Sequence, residues 1–176
     1  ANREGAAAEE LHAMDYQMYA YLQTGQDRAA RALAEVLPAV AARLSPSGAG
    51  SAAPLLAGVF ATAAIPARYA LERADWAGAA ALPVVETGRP QADSLVRFTR
   101  GLGMARSGNL AGAKGEVQAM QELRAALEKS GQSYWGDRTE EQMLAVSAWV
   151  AQAEGNREQA LKLMRAAADG EDASVK

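Results

Sequence analysis

The sequence contains no cysteine, which excludes disulfides, thiolate metal sites and cysteine nucleophiles at once. That absence suits a reducing cytoplasm and a disulfide-free exported domain alike, with the cytoplasm favoured over the periplasm. There is one histidine, His12, so a two-histidine metal site within the chain is impossible and any Ser-His-acid triad would have to pass through it. Aromatic residues are scarce, at 6 %. Positive charge is not in excess either: the net charge is −3 at pH 7, without the clustered Lys and Arg that hold a phosphate backbone, so no nucleic-acid partner is expected. No apolar run reads as long enough to cross a bilayer. The opening Ala1-Asn2-Arg3-Glu4-Gly5 lacks the charged-then-apolar plan of a signal peptide. We therefore expect a soluble chain with no membrane span and no cofactor.

What is abundant points to helix. Alanine fills about a quarter of the 176 residues, and with Leu, Glu, Gln and Arg it favours α-helix, while Val, Ile and Thr are sparse. The length suits one domain with a sizeable core. An all-α single domain over residues 1–176 is predicted, built of helical hairpins at about 8–43, 53–85, 92–129 and 137–169. In the first helix Met14, Met18, Tyr21 and Leu22 recur at the spacing of one buried face. Pro38 is expected to bend the second helix, and Pro66 either kinks the third or divides it. Residues 45–51, 87–90 and 130–136 read as loops and turns, and residues 170–176 as a fraying end.

The hairpins repeat one phrase. Gly25-Gln26, Ala74-Asp75, Gly108-Asn109 and Gly155-Asn156 each stand five residues before an alanine, at Ala30, Ala79, Ala113 and Ala160. Small residues recur there because helices cross closely only where a side chain is nearly absent. The turns lie 49, 34 and 47 residues apart, and the middle interval equals the 34-residue period of tetratricopeptide repeats. On these words, with Tyr19 to Thr24, Ala70 to Arg73, Gly101 to Ser107 and Ala167 around them, most of the chain resembles the tetratricopeptide repeat family. The family's early tryptophan and closing proline are missing. The resemblance implies an α-α superhelix of about four hairpins and a concave face, lined by the first helix of each pair, that binds an extended peptide or a partner helix.

Counting back from each turn by the family's groove-facing positions gives the candidate partner-binding residues His12, Asp15, Tyr19, Arg68, Phe98, Arg106, Trp149 and Gln152, with Gln23, Glu72 and Gln142 beside them. Aromatics next to two arginines suit an apolar anchor beside a carboxylate. The same aromatics could equally be core. Since the first helix already carries a full apolar stripe, either further repeats before Ala1 or a second subunit of a homo-oligomer is expected over that face.

The catalytic alternative is an enzyme or metal-binding helical domain. Glu9, His12 and Asp15 share a helical face at i, i+3, i+6, which could hold a metal, although carboxylates in a first turn also simply oppose the helix dipole. Gly101, Gly103 and Gly108 fit neither nucleotide-binding fingerprint. Gly101 and Gly103 read instead as close-packing positions inside a helix. Glu140-Glu141 and Glu171-Asp172 are sequence neighbours, hence divergent on a helix, and neither reads as an acid/base couple. Met143 and Met164 are expected to fill gaps in the core.

Overall fold

A computed structural model describes residues 6–45 and 53–174. The predicted loop at 45–51 therefore lies, beyond Ser45, outside the described residues. These contain eight helices and no strand: α1 (Ala7–Gln23), α2 (Asp27–Ala41), α3 (Leu55–Glu72), α4 (Trp76–Ala81), α5 (Pro90–Arg106), α6 (Leu110–Lys129), α7 (Ser133–Ala153) and α8 (Arg157–Ser174). The fold is all-helical, as the composition predicts.

Turn chemistry decides where most of these helices stop. Gly25, Gly108 and Gly155 take φ of +69°, +86° and +83°, and Ala74, the residue in phase with them, takes +53°. All four predicted turn points thus adopt the left-handed conformation that reverses the chain after a helix. At Gly25, Gly108 and Gly155 the following N–H closes back five residues: Gln26 donates to the Tyr21 carbonyl at 2.8 Å, Asn109 to Met104 and Asn156 to Ala151, both at 2.9 Å. Ala74 achieves the same φ with a Cβ, at a cost of about 1 kcal/mol relative to glycine. The next helix is then started by an Asx cap. Asp75, Asn109 and Asn156 accept from the backbone N–H groups of Gly78, Gly112 and Gln159 at 2.9, 3.0 and 3.2 Å, satisfying one of the orphan donors of each first turn. Ala30, Ala79, Ala113 and Ala160 are all buried.

The chain divides into two compact units, Ala1–Ala74 and Asp75–Lys176. In the first, α1 packs on α2 and α3, and α2 packs on α3. Leu11, Met14 and Met18 meet Leu33, Leu37 and Val40 from α2 and Ala61 and Ile65 from α3. Gly58 sits where an added Cβ would lie 3.1 Å from the Ala8 Cα, so α1 and α3 cross closely. Pro66 and Pro38 are each accommodated inside a continuous helix. By length and mean hydropathy, 1.2 over 18 residues, α3 could cross a bilayer, contrary to the reading of the sequence. Its buried Ala61, Ala64, Ile65 and Ala67 are what a core helix of this unit requires.

In the second unit α4 packs on α5, α5 on α6 and α7, α6 on α7, and α7 on α8. Ala105, Ala113, Val146 and Val150 form a core with Phe98, Leu102, Val117 and Trp149 against it. Both helical glycines are close-packing positions: a Cβ on Gly101 would lie 3.1 Å from Val146 Cγ1, and one on Gly103 would lie 2.5 Å from the Ala80 nitrogen and 2.6 Å from the Trp76 oxygen. The buried Glu116 carboxylate of α6 binds Arg97 and Arg100 of α5 at 3.1 and 2.6 Å. Arg100 also donates to the Leu82 carbonyl, fastening the segment between α4 and α5.

Several boundaries differ from expectation. Pro90 is the first residue of α5 rather than the end of a loop, because a helix start needs no N–H there. In the turn-rich stretch 130–136 only Gly131 is left-handed, and Ser133 to Gly136 belong to α7. Beyond Ala81, α4 stops short of the predicted end near Val85, since Pro83 bars helix at the residue before it. Residues 170–174 extend α8 instead of fraying. Met164 is exposed, so it does not fill the core.

Candidate functional site

The eight candidate residues fall into two sets, one in each unit. In the first unit, α1 and α3 bring Asp15, Tyr19 and Arg68 together. The Arg68 Nε donates to Asp15 Oδ1 at 2.9 Å, and its guanidinium carbon lies 5.7 Å from the Tyr19 ring centroid. Asp15 therefore neutralises the cation that was to await a partner's carboxylate. His12 sits one turn earlier, edge-on to Tyr16 at 5.1 Å. Glu9 accepts from the Ala53 backbone at 3.2 Å. Glu9, His12 and Asp15 thus turn to different neighbours, and among the described residues no three His, Asp or Glu side chains converge as a metal site.

In the second unit the other four candidates lie on α5 and α7, which pack against each other. Arg106 ends α5, and its guanidinium carbon lies 4.4 Å from the Trp76 ring and 3.9 Å from the Trp149 ring. Two indoles from two other helices therefore flank one cation, which fixes a side chain that would otherwise sample many rotamers; each stacking contributes about 0.5–1 kcal/mol at an exposed position. Unlike Arg68, Arg106 has no carboxylate within ion-pair distance among the described residues. Gln152 is exposed one turn beyond Trp149.

Two turns back along α5, Phe98 borders a half-open cavity of about 330 Å³ lined also by Gln142 and Ala145 of α7 and Met164 and Ala167 of α8. The Arg138–Glu141 ion pair lies against it. Burial pushes the Glu141 carboxyl above its ordinary pKa; Arg138 pulls it back, while Glu171, Asp137 and Glu140 push it further up. This end of the face is apolar with an acidic edge, and the Arg106 end is cationic.

Of these residues the sequence singles out Phe98, Arg106, Trp149 and Gln152, but neither Trp76 nor the cavity. Trp76 begins α4 two residues after the left-handed Ala74. That position next to a turn is the signal in the sequence, and it lies on the second helix of its pair, outside the groove positions of first helices. No protein-family model, no curated protein and no solved structure matches this chain.

Proposed function

We propose that the chain is a non-catalytic protein-interaction scaffold of tetratricopeptide-like hairpins that holds a peptide or partner helix against the α5–α7 face of the second unit. The observation that carries this reading is Arg106, in contact with Trp76 and Trp149, with no carboxylate within ion-pair distance among the described residues and with an apolar cavity bordered by the same two helices, α5 and α7. Immobilised aromatic and arginine side chains are the usual hot spots of interfaces, because little further entropy is lost when a partner meets them. The packing order supports the same reading: within the second unit each helix touches its successor, and α5 also touches α7, as nested hairpins require. The four left-handed turns with a buried alanine five residues on agree with it.

The test is covalent capture from the native lysate by a photoreactive residue replacing Gln142, with the same group at the exposed Lys129 as control. The expected result is a species labelled from position 142 and not from 129, whose capture falls about tenfold or more when Arg106→Ala and Trp149→Ala are combined, the loss of a two-residue hot spot. Helical circular dichroism should be unchanged. Equal labelling from both positions, or capture indifferent to the double substitution, contradicts the reading.

A further inference from the structure

We infer that the α5–α7 face selects an extended peptide in which a leucine-sized side chain stands four residues from a carboxylate. This rests on the scaffold reading above and adds the chemistry and spacing of the ligand. With its guanidinium carbon 4.4 Å from the Trp76 ring and 3.9 Å from the Trp149 ring, Arg106 is held by contacts that use none of its N–H donors, and a carboxylate can be gripped by two parallel hydrogen bonds in the guanidinium plane. At the other end, Phe98, Ala145, Met164 and Ala167 wall the cavity of about 330 Å³, ample for one aliphatic side chain. Arg138 pairs with Glu141 at its edge, and the buried Arg138 Nε keeps no acceptor among the described residues, so the polar groups of this end stand beside the apolar wall.

The distance between the two features is set by the helices that carry them. Phe98 and Arg106 are eight residues apart on α5, about 12 Å at 1.5 Å per residue, and Gln142 and Trp149 on α7 are seven apart, about 10 Å. An extended chain advances about 3.3 Å per residue, so four residues span about 13 Å. Its period of two returns positions i and i+4 to the same side. A helical ligand would need seven or eight residues to cover the same ground. The amides of Gln142 and Gln152, one at each end of the α7 run, can pair with the backbone groups that an extended peptide leaves open.

The probe is a set of labelled ten-residue peptides on a Ser/Gly background, capped at both ends, each with one Leu and one Glu separated by one to eight residues in either order. Fluorescence anisotropy of the full chain with this set should give its tightest binding at a separation of four, about tenfold tighter than at two or six. Arg106→Gln should remove the dependence on Glu, and Ala145→Leu, which fills the cavity, the dependence on Leu. Exchanging the peptide's Leu for Ser tests the cavity without altering the protein. A maximum at seven or eight, binding indifferent to separation, or no binding by any peptide overturns the inference. The scaffold reading falls separately, if photocapture at position 142 shows no excess over position 129.

Discussion

Replacing Gly103 with alanine is expected to destabilise the second unit by about 2–3 kcal/mol, although the same exchange in an open helix stabilises by about 1 kcal/mol. The sign reverses because the new Cβ would lie 2.5 Å from the Ala80 nitrogen, 2.6 Å from the Trp76 oxygen and 2.8 Å from the Ala79 Cβ. Two of these are backbone atoms, so no rotamer change relieves the overlap, and overpacking of this kind costs about 1–3 kcal/mol. The relief available is to move α4 off α5, which takes Trp76 away from Arg106. Gly115→Ala is the control: nothing lies within 4 Å of the Cβ it would add, and it should raise stability. Urea denaturation of the two variants checks both signs, and indole fluorescence should change only in Gly103→Ala. Equal stability of Gly103→Ala and the parent chain would show that α4 does not lie against α5 as described.

The second large effect is expected at Glu116. Its carboxylate is only 6 % exposed and holds Arg97 and Arg100, so Glu116→Ala leaves two guanidiniums facing each other without a counter-charge. Breaking a buried pair costs about 3–5 kcal/mol; because Arg97 and Arg100 keep side-chain exposures of 26 % and 20 %, the expected loss is nearer 2–3 kcal/mol. Glu116→Gln keeps an acceptor and should lose about half as much. The Arg100 contact with the Leu82 carbonyl makes the segment between α4 and α5 the first part to loosen. Hydrogen exchange of residues 82–89 in Glu116→Ala, measured beside the global unfolding midpoint, checks this; unchanged protection and an unchanged midpoint would reject it.

The parts of this fold that were legible beforehand are those written in local chemistry. A glycine or alanine followed by Gln, Asp or Asn announces a left-handed stop and, at Asp75, Asn109 and Asn156, a side-chain cap, and the four turns fall where that signal stands. The stripe of α1 was readable for the same reason, since Met14 and Met18 share the one face that goes inside. Tertiary packing overruled the rest. Ser133 to Gly136 carry turn residues but are drawn into α7, where Thr139, one turn on, accepts a buried hydrogen bond from Ser94 of α5 at 3.1 Å. Met164 has the composition of a core residue and is exposed beside a cavity, which no periodicity distinguishes.

The candidate site divides along the same line. Arg106 and Trp149 are singled out in the sequence by their distances from the Gly108 and Gly155 turns. Their meeting with Trp76 depends on how closely α4 approaches α5, and that distance is governed by a residue with no side chain, Gly103. Arg68 and Arg106 were equivalent in the sequence, but one has Asp15 beside it and the other two indoles. Only coordinates separate an arginine already paired from one open to a ligand.

The chain has three tryptophans. Trp76 and Trp149 flank Arg106, and Trp135 stands apart from it, edge-on to Tyr134. The most direct measurement is therefore the nitrogen–proton NMR spectrum of the three indole groups during titration with the captured partner, or with the tightest of the spaced peptides. The account predicts that the Trp76 and Trp149 signals move together, saturably, while the Trp135 signal stays in place. Movement of Trp135 alone, or a bound partner that leaves Trp76 and Trp149 unshifted, would contradict it.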